Sequence, residues 1–201
     1  MAICRSLARS ELPTDTVSLA RYLIGKLLMR ELPEGVASGR IVETEAYVVG
    51  DAAGHAYRGM TRRNHSLFLE RGHAYIYLAY GSSYMLNVSS EMPGIGAGVL
   101  IRALEPLKGI PIMQRNRGIE RLRDLARGPG RLTAALRVDR SLDGIDLCRE
   151  GPLWLGRGDH ESVEIGQSIR IGISRDAKRL LRFYLRGSRF VSGPRWLKQK
   201  E

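Results

Sequence analysis

The feature that most constrains this fold is a series of short apolar segments, rich in branched and aromatic residues, that do not alternate regularly with helices. KLLMREL and GRIVETEAY flank the turn-forming Pro33-Glu34-Gly35, as the two strands of a hairpin do. HAYIYLAYG, GVLIRALEP, PLWLG, SIRIGIS and LLRFYLRG are further strand candidates, each bounded by Gly, Pro or Ser. Helical material is sparser. Thr14-Asp15-Thr16 precedes Val17, Leu19, Ala20, Leu23 and Ile24 and stops at Gly25, which predicts a capped helix. Two more helices are predicted, one around Ile110 to Arg117 and one after Gly128-Pro129-Gly130, where Leu132, Ala135 and Leu136 recur at helical spacing. This arrangement favours a mixed α/β (α+β) domain with a mainly antiparallel sheet and peripheral helices over a doubly wound parallel sheet. With 201 residues and no repeat or linker, one domain spanning 1–201 is expected.

Charge narrows the partners. Thirty-two Lys and Arg against 21 Asp and Glu leave a net charge of +11, and Arg far outnumbers Lys. Guanidinium forks match phosphate oxygens, so the excess suits nucleic acid better than a small anionic metabolite. A solvated basic surface on an otherwise ordinary scaffold is the bland alternative. No run of ~20 apolar residues is present, so no membrane span or secretory signal is expected and an intracellular protein is the default. Cys4 and Cys148 are too few for a disulfide framework. His55, His65, His73 and His160 show no metal-ligand spacing, and no glycine-rich phosphate loop follows a strand, so neither a metal nor a cofactor is expected.

Three segments have residue types suited to chemistry. Glu43 and Glu45 lie on one face of a predicted strand, so spacing alone does not say which is the reactive carboxylate. A carboxylate among apolar and aromatic neighbours is a candidate general base, although exposed strand carboxylates give the same pattern. Tyr75 and Tyr77 project to one face of another strand and Tyr80 stands at its end beside Gly81; such rings can stack on a base or enter a duplex, or simply fill a core. Arg102 interrupts the apolar run of residues 98–104, where an arginine needs a carboxylate, a phosphate or water to satisfy its donors.

Taken in order, several blocks resemble the alkyladenine (3-methyladenine) DNA glycosylase family over nearly the full chain, from about Leu12 to Ser192. They are Leu19-Ala20-Arg21 with Leu23-Ile24-Gly25, Arg40-Ile41-Val42-Glu43-Thr44-Glu45-Ala46-Tyr47, and Thr61 with Arg63-Asn64 and Phe68. Tyr75-Ile76-Tyr77 with Tyr80-Gly81, Asn87-Val88, Leu100 to Pro106, and Leu181-Arg182-Phe183-Tyr184 with Arg186-Gly187-Ser188 complete the set. The resemblance implies a single domain with a curved, open-barrel-like antiparallel sheet. It implies a base-excision-repair enzyme, a monomer associated with DNA, that flips alkylated purines from duplex DNA and hydrolyses the N-glycosidic bond with a Glu-activated water. Deaminated or etheno purines are an extension of that substrate range.

Residue by residue, Glu45 is similar to the family's general base and Arg102 to the arginine that helps hold the attacking water. Ile171 matches a residue whose main-chain carbonyl does the same. Tyr47, His55 and Tyr77 resemble the walls of the base pocket, Asn87 and Leu100 the gate that narrows it, and Tyr80 the wedge that intercalates where the flipped nucleotide stood. One carboxylate suffices where the leaving base is already cationic, as an N3- or N7-alkylated purine is. No lysine is placed as a nucleophile, so an intact strand with an abasic site is the expected product. Ser82 and Ser83, where the family usually has Met and a bulkier residue, and Arg62, where it often has Pro, are departures from the pattern. The competing reading is a non-catalytic basic nucleic-acid-binding module.

Overall fold

The computed structural model describes residues 5–158 and 164–194. Cys4, weighed above for a disulfide framework, and His160, weighed as a metal ligand, lie outside them. The first helix, α1 (Thr16–Tyr22), starts where Asp15 accepts the Ser18 N–H at 2.9 Å, which satisfies an otherwise unpaired amide of the first turn. Strands β1 (Leu27–Leu32) and β2 (Gly35–Tyr47) form the expected hairpin, with Leu32 opposite Gly35. There follow β3 (Ala74–Ala79), β4 (Ser83–Ser89), β5 (Gly98–Lys108), α2 (Ile110–Arg117), α3 (Pro129–Ala135), β6 (Leu153–Gly156), β7 (Ile165–Ser168) and β8 (Arg182–Leu185).

Every strand pairing is antiparallel, in the order β3-β4-β5-β2-β1-β6, with β8 added to β2 and β7 to β8. The 13 residues of β2 organise the sheet. Its first half pairs with β1, residues 43–45 pair with β8, and β5 runs along its other side. The sheet curls where β2 changes partner, giving a half-barrel with three helices around it in one mixed α/β domain. The main core lies between this sheet and the helices: Leu19 and Leu23 meet Leu28, Ile41, Ile76, Leu86, Ile101, Leu104, Leu132, Leu136 and Phe183, all closed from solvent.

Register shifts around Ile41, Glu43 and Thr44 break the β2–β5 ladder and leave Val42 and Arg102 unpaired. Their side chains end on the face away from the main core, where Val42 and Ala103 join Tyr184, Phe190 and Val191 in a second apolar cluster. Bulges of this kind re-aim side chains. Here they place Glu43 and Arg102 together on that second face, while Thr44 turns inward and donates to the Ala20 carbonyl at 2.8 Å.

Two elements differ from the sequence reading. Strand β4 was not expected, and the predicted strand SIRIGIS gives way to β7, which begins three residues earlier in the chain and ends at Ser168, with residues 169–173 irregular. The reason for the second lies in the site: the Ile171 N–H donates to a side chain and Arg170 is held by an ion pair, so neither is free to join a ladder. No described helix is long and apolar enough to cross a membrane.

Candidate active site

Strand register lines up the site. Tyr75 of β3 is opposite Asn87 of β4, Asn87 opposite Leu100 of β5, Leu100 opposite Glu45 of β2, and Glu45 opposite Arg182 of β8. This row crosses five strands beneath a cavity of about 490 Å³, within the about 300–1,000 Å³ usual for small-molecule sites. Tyr47, His55, Tyr75, Tyr77, Tyr80, Asn87, Leu100, Arg102 and Ile171 all line it, so it gathers every sequence-predicted site residue except Glu45.

Glu45 lies just behind the wall, closed from solvent, and is reached through groups that do line the cavity. Its Oε1 accepts the Ile171 N–H at 2.8 Å, and its Oε2 accepts the Tyr47 hydroxyl at 3.0 Å and lies 3.2 Å from Arg102 Nη1. Ile171 thus touches Glu45 through its N–H; the carbonyl named above was assigned to the attacking water, a separate contact. Burial pushes the Glu45 carboxyl above the ordinary carboxylate range, against the opposing pull of Arg102, the Ile171 amide and Tyr47.

Glu43 sits in the opposite electrostatic situation. Burial works to raise its proton affinity, but Arg182 and Arg102 outweigh it and hold the carboxyl below its usual value. Its Oε1 accepts from Arg102 Nε at 3.0 Å, Arg182 Nε at 2.7 Å and Ser192 Oγ at 2.9 Å, while Oε2 accepts the Ser192 N–H at 2.6 Å. Arg102 thus spans the two carboxylates, tied to one through Nε and to the other through Nη1. Strand alternation cannot separate Glu43 from Glu45, but their partners do: Glu43 is locked between two guanidiniums with its carboxyl lowered, whereas Glu45 has one guanidinium beside it and its carboxyl is raised. Their effects on stability run oppositely with pH. Glu43, with its lowered value, stabilises the fold above the ordinary carboxylate range and loses that contribution on acidification. Glu45, with its raised value, contributes fully below that range and loses its share as pH rises through its folded value.

Aromatic rings form the remaining walls. Tyr75 and Tyr77 stack with ring centres 5.4 Å apart, and the His55 ring stands edge-on 4.3 Å from Tyr77. His55 Nδ1 is 2.9 Å from the Tyr75 hydroxyl, and Asn64 donates to the His55 carbonyl at 2.9 Å, which fixes the loop that carries it. Burial and the nearby Arg63 depress the His55 pKa, favouring the neutral ring at pH 7. Burial raises the Tyr77 phenol to about 12, so it remains a hydroxyl.

At the mouth, Tyr80 and Gly81 both have positive φ, 53° and 69°, and the Ser82 N–H closes the turn on the Ala79 carbonyl at 3.1 Å. Two successive positive angles define a type I′ turn, whose twist suits a tight hairpin. Glycine takes that conformation freely; for tyrosine it costs about 1–2 kcal/mol. The turn holds Tyr80 at the tip of the β3–β4 hairpin, 88% exposed.

Sequence reading missed Arg182, Arg170, Asp51 and the structural part of Glu43. A signal for two of them was present: Arg182 and Arg170 each interrupt an apolar strand-like run, as Arg102 does. Both are buried against carboxylates, Arg182 on Glu43 and Arg170 on Asp51. Among the described residues no group of three or more His, Cys, Asp or Glu is placed to hold a metal ion.

Comparison with known proteins fits this architecture. The family model for methylpurine-DNA glycosylase (MPG) matches residues 10–189. Similar curated proteins, each named as a 3-methyladenine DNA glycosylase, include one from Mesorhizobium japonicum, 78% identical over 96% of this chain and 93% of its own length. Another from Paraburkholderia phytofirmans is 55% identical over 95% of this chain and 90% of its own, and one from Methanoculleus marisnigri is 46% identical over 89% and 94%. The chain belongs to the methylpurine-DNA glycosylase family.

Proposed function

We propose that this protein is a monofunctional DNA glycosylase that extrudes a damaged purine from duplex DNA and hydrolyses its N-glycosidic bond, acting as a monomer and leaving an abasic site. The observation that carries the reading is a buried carboxylate of raised proton affinity, Glu45, bonded to three groups that line an aromatic cavity beside an exposed tyrosine.

A base inside the stack is out of reach of any protein carboxylate, and extruding it costs a few kcal/mol. Tyr80 fills the gap that the nucleotide leaves, and Tyr47, His55 and Tyr77 receive the base, with Asn87 and Leu100 narrowing the entrance. As the glycosidic bond lengthens the sugar acquires oxocarbenium character, which the ionised Glu45 stabilises while it takes a proton from the incoming water. Arg102 and the Ile171 main chain orient that water, joining the Tyr47 hydroxyl around the carboxylate. Balance is simple: water oxygen bonds to the anomeric carbon, the bonding pair leaves with the purine, and Glu45 holds the released proton. Among the described residues no lysine lines the cavity, in keeping with hydrolysis and an unbroken strand. The charge of +11 suits phosphate contacts on both sides of the lesion.

The direct test is a duplex with one hypoxanthine, ethenoadenine or alkylated purine, incubated with protein and then treated with alkali. Cleavage only after alkali is expected; an unreacted strand across the whole panel would defeat the proposal, and binding without base release would favour a non-catalytic module. Tyr80→Ala is expected to weaken binding to the lesion duplex by about tenfold or more, since stacking of one base on an aromatic ring contributes about 1–3 kcal/mol. Unchanged affinity would remove Tyr80 from the intercalating role.

Tyr47→Phe tests the link between wall and base. Activity requires ionised Glu45, so the rate rises with pH through the Glu45 value. The Tyr47 hydroxyl stabilises the ionised form, and its loss moves the rising limb to higher pH. A limb that stays put or moves to lower pH refutes the coupling.

A further inference from the structure

A cation lies behind the cavity wall. The Arg170 guanidinium is 4.6 Å from the centre of the Tyr47 ring, and Tyr47 lines the cavity whereas Arg170 does not. Both Arg170 and its partner Asp51 are fully closed from solvent. The pair is two-pronged: Arg170 Nη1 donates to Asp51 Oδ2, and Nη2 donates to Oδ1 at 3.0 Å. Nη1 also donates to the Ala46 carbonyl at 2.9 Å, one residue before Tyr47. A second stitch runs alongside, from the Ala52 N–H to Asp176 Oδ2 at 2.9 Å. The loop after β2 and the segment that presents Ile171 are thus joined across a neutral, buried charge pair.

We propose that the Asp51–Arg170 pair sets the charge behind Tyr47, and so determines how strongly the site prefers a cationic alkylated purine over a neutral one. The inference rests on the glycosylase reading above. An aromatic face attracts a cation through its quadrupole, and a second cation behind the same ring opposes the first. Charges separated by protein interior interact far more strongly than in water, so the guanidinium is felt across the wall unless it is matched. Asp51 supplies the match with both oxygens. The pocket can therefore keep the rigid support of a stacked arginine without repelling a positively charged base.

The experiment compares single-turnover excision of 7-methylguanine, a cation, with that of hypoxanthine, which is neutral, each in the same duplex. Asp51→Asn nearly preserves shape and leaves the guanidinium unmatched; the ratio of the cationic to the neutral rate is expected to fall by about tenfold, on the order set by one charge acting through a partly polar interior. Arg170→Gln leaves Asp51 unmatched and is expected to shift the ratio the other way. The double variant removes both charges and is expected to return close to the parent ratio, which keeps the comparison with Arg170→Gln available if Asp51→Asn does not fold. A merely structural role would slow both substrates alike. Equal slowing in the single variants, shifts in the same direction, or a double variant that keeps a displaced ratio overturns the proposal. Parent protein inactive on both duplexes would instead refute the glycosylase reading itself.

Discussion

Replacing Glu45 by Gln is expected to slow base excision by about 10²–10⁴-fold, the usual contribution of a positioned general base, while leaving affinity for lesion duplex within about twofold of the parent. The substitution conserves volume in a site with no exposed surface. The amide oxygen still accepts the Ile171 N–H, and Arg102 retains Glu43 as its counter-charge, so the wall that Glu45 supports stays in place. What is lost is the basic lone pair and the negative charge that the proposed mechanism assigns to Glu45. Single-turnover excision and equilibrium binding on the same duplex separate the two effects. Parent-like excision would remove Glu45 from the chemistry, and equal loss of excision and binding would give it a structural task only.

The largest stability effect is expected from Arg182→Met. Arg182 is fully buried and spends its donors on three elements: Nε on Glu43 at 2.7 Å, Nη1 on Ser168 Oγ at 2.7 Å and Nη2 on the Ser192 carbonyl at 3.0 Å. Methionine occupies much of the same volume but leaves Glu43 with one guanidinium where it had two. Removing one partner of a buried ion pair costs about 3–5 kcal/mol, which for a chain of this size lowers Tm by about 10 °C. Calorimetry checks this; a Tm within about 2 °C of the parent would mean that Arg102 and Ser192 alone suffice for Glu43. The same variant loosens Arg102 at its Nε end, so excision falls with stability.

Local signals carried much of the fold. Asp15 marked the start of α1, Pro33-Glu34 the first hairpin, and Gly128-Pro129 the start of α3, because caps and turns are decided within a few residues. Strand β4 escaped because its first residue, Ser83, and Ser82 just before it are polar and the turn ahead of it places a tyrosine in a conformation that propensity assigns to glycine or asparagine. It is paired on both sides, so its neighbours make it a strand. The site divides in the same way. Tyr47, His55, Tyr77, Asn87, Leu100 and Arg102 were found by resemblance and do converge on one cavity. The division of labour between Glu43 and Glu45 was hidden, because it depends on Arg182 and Ser192, which lie about 140 and 150 residues further along the chain. Asp51 and Arg170 are likewise 119 residues apart and carry no joint motif.

The hairpin tip has a mechanical consequence. A connection this short leaves its aromatic ring no slack to fold back against the body, so the free protein already displays the shape it would push into a duplex. The ordering that a floppy finger would undergo on contact is complete in advance. In the intercalating role proposed for Tyr80, such a probe would inspect DNA by stiffness: a sound stack would resist it, and a weakened step would yield.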